Sequence, residues 1–401
     1  MKYLLKLLRS FHEKEEDRIQ IDQFGTLLNE RVIPAYVALS EEGVKIENSR
    51  AVFPEAWSGI YQGLKETGFF KCFIPPEYGG LKISEESLYS YMELLGYGCP
   101  SIGIMFVAHG RAVDMILGGE KDDQKRTYLP RFANGEFGAI AMTEVDAGSD
   151  VGAIQFSAER AGEHYLFNGQ KWFISNAGLA SVYTIVVNTR KKKSPRALSA
   201  FLVDRDFEGF VVTDLPDKDG LRLLPTGRLS FEDTRVPKEN MIGSEGHGLL
   251  TALNAIDKGR IHIAGICCGL AYRIFDEIFD YSRKRVQFDH PLTSSQDISF
   301  KISDMYTQIN AARGLCFHAL RQIDTPLYRS SSSQAKLFAS QMATDVARSG
   351  QIILGGRGYL RSNVVSLLSA DARGMEYVEG TTNIQRMIVS SELFRDYERS
   401  A

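Results

Sequence analysis

The sequence predicts an α+β fold in three successive blocks: a helical domain, a middle antiparallel β domain, and a second helical domain. Three observations carry this. Helical periodicity dominates residues 1–136. Near Phe137 the pattern switches to short β-rich runs divided by Gly, Asn, Asp or Pro. After a Gly-rich linker at 243–248, GSEGHG, helical periodicity returns and lasts to the end. A chain of 401 residues exceeds what one core normally fills, so the blocks read as domains 1–136, 137–243 and 244–401.

Composition narrows the function. The formal net charge of -3 predicts no bulk attraction to nucleic acid or a membrane surface. Five cysteines (Cys72, Cys99, Cys267, Cys268, Cys316) form no CxxC pair and no Cys/His metal spacing. They read as buried, reduced thiols of a cytoplasmic protein. The opening MKYLLKLLRSF is interrupted by Lys6 and Arg9, and no small-residue cleavage site follows. It reads as an amphipathic helix rather than a signal peptide. No run is long and apolar enough to span a bilayer.

In the first block, residues 21–42, 56–70 and 87–98 carry helical periodicity. Between the last two, CFIPPEYGGLKIS must be a loop, because Pro75, Pro76, Gly79 and Gly80 forbid regular structure. SIGIMFVAHGRAVDMIL (101–117) is apolar almost all round and should be buried, with His109 a core histidine. In the second block, six runs from FGAIAMTE to RLSFEDTRV read as strands. AMTEVDAGSD (141–150) ends a strand in a turn that offers backbone N–H groups and the Thr143 and Ser149 hydroxyls. KWFISN (171–176) alternates Trp172 and Ile174 against Phe173 and Ser175, so an aromatic and a hydroxyl two residues on would share a face. Each of these also reads as an ordinary turn or core strand. RKKKSPR (190–196) is a basic loop, either a solvated turn or a contact for a phosphate-bearing or acidic partner. In the third block, residues 249–285 form one long helical pattern or two abutting ones, broken at HPLTSSQ and followed by further amphipathic helices. No GxGxxG follows a strand and no P-loop is present, so a dinucleotide would not sit on a Rossmann unit.

The third block holds the stretch that matters most, EYVEGTTNIQR (376–386). Thr382 and Gln385 form a capping box, so a helix starts there and Glu379 sits in the turn before it. The helix dipole favours an ionised carboxylate at that point, and Gly380 lets backbone approach a ligand closely. Glu379 is either a solvated residue ahead of the cap or a general base beside an exposed backbone N–H.

Taken in order, IPPEYGG, TEVDAGSD, NGQKWFISNA, DKGRIHIAGICCGLA, YSRKRVQFDHP, LGGRGY and VEGTTNIQR resemble the acyl-CoA dehydrogenase flavoprotein family nearly end to end. The resemblance implies a C-terminal four-helix bundle, FAD bound between the β domain and the bundle, and a homotetramer or homodimer. It implies that Ile140, Met142, Thr143, Gly148 and Ser149 line the flavin, with Phe173 over the ring and Ser175 at its edge. Arg285 and Phe288 would reach the cofactor of a neighbouring subunit, Gly356 would lie beside its adenosine portion, and Thr381 and Asn383 would contact it after the catalytic turn. Ser149, Asp257, Arg260 and Gly380 would meet the substrate, and Glu379 would be the base. The chain departs from the family pattern at Asp289, where the family has Gly, at Gln351, one residue early, and at Ala370, where an Arg is common. One branch places its base at the position of Gly259, which has no side chain to do the chemistry.

On this resemblance the reaction is α,β-dehydrogenation of an acyl thioester, with Glu379 taking the α-proton while flavin N5 accepts the β-hydride. Burial should raise a glutamic acid of pKa ~4.3 toward ~6–7. The acyl carrier would be CoA or, as in biosynthetic relatives, a carrier protein, and the electron acceptor electron-transfer flavoprotein or oxygen. Two readings on the same fold compete, a non-catalytic flavoprotein and a flavin monooxygenase.

Overall fold

Helices begin the chain in the computed structural model, which describes residues 1–401 except 82, 191–193, 216 and 401. They are α1 (Lys2–Arg9), α2 (Glu15–Leu27) and α3 (Ile33–Glu42). A small hairpin of β1 (Lys45–Glu47) and β2 (Arg50–Val52) follows, then α4 (Ala56–Glu66), α5 (Glu85–Gly98), α6 (Pro100–Leu117) and α7 (Asp122–Ala133). Between α2 and α3 a π-helical stretch, Leu28–Val32, absorbs the hydrogen bond that Pro34 cannot donate. α5 starts where Ser84 Oγ accepts from Ser87 N at 3.1 Å. α6 starts on Pro100, whose fixed φ suits the first helical position. It has no solvent face: from Pro100 to Ile116 only Asp114 is not fully buried.

The strands are β3 (Gly138–Ala141), β4 (Ser157–Ala161), β5 (His164–Ser175), β6 (Val182–Asn188), β7 (Leu198–Asp204), β8 (Phe210–Asp214), β9 (Thr226–Pro237) and β10 (Met241–Ile242). They form one sheet in the order β10-β7-β6-β4-β5-β9-β8, with β3 added beside β6. The pairings are antiparallel except β3 with β6 and a single residue pair of β4 with β6. Every residue of β6 is buried, because both of its faces are covered. Val182 and Val186 pack with Ala112, Ile116 and Leu249 of the helices, while Tyr183, Ile185 and Val187 pack with Phe167 and Phe231 inside the sheet.

The rest is helical apart from a second small hairpin. α8 (Gly248–Lys284) is a single helix of 37 residues. After it come β11 (Val286–Gln287), β12 (His290–Pro291), α9 (Gln296–Leu320), α10 (Tyr328–Leu354), α11 (Val364–Gly374) and α12 (Thr382–Ser400). α10 packs on α8, α9, α11 and α12, and α8 also packs on α5 and α6. Backbones touch where α5 crosses α8: a Cβ at Gly269 would lie 1.8 Å from Glu93 O, and one at Gly96 2.1 Å from Ile266 O. That close crossing holds α8 against α6, and α6 in turn packs on β3. α6 thus touches both the sheet and the C-terminal helices, and α8 also packs directly on β6 and β7.

His109 on α6 is a core histidine. It is ringed by Phe70, Phe73, Phe106, Phe132 and Phe137, its Nδ1 accepts from Gly138 N at 3.2 Å, and burial drives its pKa down to about 3. Among the described residues, no helix is long and apolar enough to cross a membrane and no acid–His–Cys group could hold a metal ion. All five cysteines are buried and free.

Candidate active site

Strand β5 departs from simple alternation at the residues that matter. Its register with β9 runs from Lys171↔Leu229 to Ile174↔Gly227, three steps on one strand against two on the other. The extra residue makes a β-bulge. Lys171 and Ile174 therefore both point inward, and Phe173 is expelled at φ 57° with 66% of its surface exposed. Phe173 and Ser175 do not share a strand face by alternation, as the sequence pattern predicts. The bulge sets them instead, and Ser175 ends half-buried where β5 meets Thr226.

The inward lysine explains the bulge. Lys171 is fully buried, and its Nζ donates to Met142 O at 2.8 Å and to Glu144 Oε1 at 2.7 Å. Burial lowers its pKa to about 8, against the pull of Glu144. The Glu144 carboxylate also accepts from Gln155 N at 2.8 Å and Phe156 N at 3.1 Å. Trp172 N donates to Thr143 O at 2.9 Å. These bonds fasten the 141–150 turn to the 171–176 strand, two stretches that the sequence singled out separately. Met142 is buried, Ile140 and Thr143 are half-buried, and Gly148 and Ser149 form an exposed rim where a Cβ on Gly148 would meet nothing within 4 Å. An exposed ring on strained backbone, with hydroxyls and open backbone beside it, is a cradle suited to a flat cofactor such as flavin.

Glu379 stands in a second strained turn, at φ 53°, a conformation that costs a residue with a Cβ about 1–2 kcal/mol. The turn is held by its carbonyls. Lys336 Nζ, fully buried, donates to Gly380 O at 2.8 Å and Glu376 O at 3.3 Å, and Gln385 Nε2 donates to Glu379 O and Gly380 O at 3.0 Å each. Here the capping box shifts register. The cap of α12 is Thr381, whose Oγ1 accepts from Ile384 N at 3.4 Å, and Gln385 reaches the turn carbonyls instead of the cap N–H. The reason is the left-handed turn at Glu379 and Gly380, which aims those carbonyls at the first turn of the helix. Gly380 and Thr381 are half-buried, and Asn383 is exposed and bonded to Arg386 at 3.0 Å.

The Glu379 carboxylate points inward, and its Oε2 is buried with no hydrogen-bond partner. Burial raises its pKa, while Arg111, Arg260 and Lys336 pull it back down. Gly259 makes room for it: a Cβ there would stand 3.0 Å from Glu379 Oε2 and Cδ and from Arg111 Nη1. One residue on, Arg260 is buried and ion-paired with Asp257, which also lies 3.9 Å from Arg329. The structure thus brings Glu379, Gly380, Asp257 and Arg260 to one place.

Arg285, Phe288 and Gly356 lie elsewhere. Arg285 and Phe288 belong to the exposed β11–β12 hairpin, whose two-residue turn puts Phe288 at φ 50° and Asp289 at φ 63°. That turn accounts for a family glycine at 289, and Asp tolerates the conformation better than most residues. Phe288 is 96% exposed, and Gly356 is exposed on the short helical turn Gly355–Tyr359. Gln351 is spent inside the chain, donating to Gly358 O and accepting from Ser369 Oγ, both at 3.0 Å. Of the basic loop, residues 191–193 lie outside the described residues, and Arg190 pairs with Glu245 at 3.3 Å.

Sequence reasoning missed Arg111, Lys336, Lys171 and Glu144. A lone Arg in the apolar 101–117 run was the available signal for Arg111. The other three gain their partners through contacts distant in sequence and leave no local trace.

Comparison with known proteins agrees along the whole chain. Models of the acyl-CoA dehydrogenase N-terminal, middle and C-terminal domains match residues 14–136, 139–234 and 246–394. The short-chain specific acyl-CoA dehydrogenase of Clostridium acetobutylicum is 36% identical over 323 residues, 80% of this chain and 85% of that protein. Butyryl-CoA dehydrogenase from Megasphaera elsdenii superposes with a TM-score of 0.89 at 28% identity, covering 96% of this chain and 99% of the other. The glutaryl-coenzyme A dehydrogenase–glutaryl-CoA complex does so at 0.88 and 28%, covering 96% of each. With all three domain models matched in order, this chain belongs to the acyl-CoA dehydrogenase family of FAD-dependent oxidoreductases.

Proposed function

We propose that the protein dehydrogenates a short acyl thioester across its α and β carbons, with Glu379 as the base. FAD, when bound, accepts the hydride that leaves the β-carbon. Glu379 Oε2 takes the α-proton, so one proton and one hydride depart and a carbon–carbon double bond forms. The α-proton of a thioester is weakly acidic, and its removal needs a base that is positioned and not already paired. The observation that carries the reading is the buried, unpartnered Glu379 Oε2 at the mouth of a strained turn.

The surrounding residues suit that role. Lys336 and Gln385 occupy the turn carbonyls, and among the described residues the Glu379 N–H has no partner, so it is free to donate to a thioester carbonyl. Burial raises the carboxyl pKa, and Arg111, Arg260 and Lys336 oppose that rise. Phe173, Thr143, Ser149 and Ser175 would hold the flavin ring. Arg285, Phe288 and Gly356 are left for contacts made by a second copy of the chain. A short acyl chain is supported by the relatives described as short-chain specific or acting on butyryl-CoA.

Glu379→Gln tests the assignment. The near-isosteric amide cannot accept the proton, so the variant should keep its flavin and bind acyl-CoA while anaerobic bleaching of the flavin band stops. Bleaching at the wild-type rate would put the base elsewhere.

A further inference from the structure

A cavity of about 70 Å³ lies between α6, α8 and the loop entering α5. Its polar lining is Ser84, Glu85, Arg111, Asp114, Lys258 and His262. An alkyl chain gains nothing from such a wall, because burying it there strands charged groups away from water. Arg111 separates this cavity from the base. It is 1% exposed, and its Nη1 lies 3.0 Å from the same point beside Gly259 as Glu379 Oε2.

The cluster leaves several polar atoms without a hydrogen bond, two of them on Arg111. Arg111 Nη2 pairs with Asp114 at 2.8 Å and reaches His262 Nδ1 at 3.5 Å. Asp114 is shared with Lys258 at 3.4 Å, and Glu85 lies 3.6 Å from His262 Nε2. Burial holds the His262 pKa down, against the pull of Glu85, and a neutral ring that accepts from Arg111 at Nδ1 carries its hydrogen on Nε2, the side of Glu85. Asp114 is held by ion pairs to Arg111 and Lys258, although its Oδ2 makes no hydrogen bond, while Arg111 Nε and Nη1 are buried without a partner. A buried guanidinium with two unmet donors costs free energy until an acceptor arrives.

We propose that Arg111 selects acyl groups that carry an oxygen acceptor, a hydroxyl or a carboxylate, a short distance beyond the β-carbon. This rests on the acyl thioester reading above and names its substrate class. The two unmet nitrogens of Arg111 are donors, so an ammonium group does not suit them.

The purified holoenzyme would be mixed anaerobically with matched CoA thioesters: butyryl- against 4-hydroxybutyryl- and 4-aminobutyryl-CoA, and valeryl- against glutaryl-CoA. The readout is the rate of flavin bleaching over substrate concentration. The oxygen-bearing member of at least one pair should win by about 10-fold or more in kcat/KM, the range of one charge-assisted hydrogen bond. In Arg111→Lys that ratio should collapse, because an ammonium cannot reproduce the guanidinium geometry. Equal or better rates with the plain chains, or preference for the amino compound, would overturn the selection. So would equal losses on both members of a pair in the variant, which would make Arg111 only a support for Glu379. The wild-type ratio decides even if the variant fails to fold. Failure of every one of these CoA thioesters to bleach the flavin would instead remove the short acyl-CoA reading itself.

Discussion

Replacing Lys336 by Met separates the two jobs that this residue performs at the Glu379 turn. The first is structural. Lys336 donates to Gly380 O and Glu376 O, but both carbonyls keep other donors, Gln385 Nε2 at 3.0 Å and Thr382 N at 3.1 Å. Neither is orphaned, and removing a buried ammonium relieves its desolvation, so the loss of stability should be only about 1–2 kcal/mol. The second job is electrostatic. Burial lowers the Lys336 pKa to about 8, so its charge is present below that pH, where it favours ionised Glu379. A unit charge several Å away at an effective dielectric near 20 contributes about 2 kcal/mol, or about 1.5 pH units. The sign follows directly. Without Lys336 the Glu379 pKa rises further, the base is ionised only at higher pH, and the acid limb of the rate profile moves upward. The assay is anaerobic stopped-flow bleaching of the flavin across about pH 5–8, on variant protein of normal flavin content. A variant slowed by one factor at every pH, with its acid limb unmoved, would refute the electrostatic role.

Gly259→Ala should slow flavin reduction by about 10-fold or more, since its Cβ would stand 3.0 Å from the Glu379 carboxylate and displace it. Thermal denaturation of the same variant should show no loss of stability, because Ala is favoured over Gly in a helix interior by about 1 kcal/mol. Lys171→Met should weaken FAD binding by about 10-fold or more and destabilise the fold by about 1–3 kcal/mol, since the half-buried Glu144 loses its cation but keeps the Gln155 and Phe156 N–H donors. Titration of the stripped protein with FAD, followed by flavin fluorescence, and urea unfolding would check the two effects.

The helical and β blocks were legible because periodicity is a local property. The run SVYTIVVNT shows no alternation since β6 is covered on both faces, and that too is readable as a fully buried strand. The apolar stripe of 101–117 foretold the burial of α6. The turn at Glu379 announced itself through Gly380 and the Thr and Gln that follow. What sequence pattern could not give was conformation dictated from afar. The bulge at Phe173 exists because Lys171 turns inward to meet Glu144, 27 residues earlier. The shifted cap at Thr381 follows from a left-handed residue, and nothing local marks a Glu as left-handed. The cluster around Arg111 gathers charges from three elements, each unremarkable in its own window.

The length of α8 carries a consequence of its own. Its 37 residues make a rod of about 55 Å, with Gly259 and Arg260 about a third of the way along and the hairpin that carries Phe288 just beyond its C-terminal end. No loop interrupts it to absorb an error in spacing. One residue inserted between these points would advance the hairpin by about 1.5 Å and turn it through about 100° about the helix axis, aiming Phe288 at a different neighbour. Beyond close-packed positions such as Gly259 and Gly269, the number of residues between Gly259 and the hairpin is a ruler that fixes the phase of two distant surfaces.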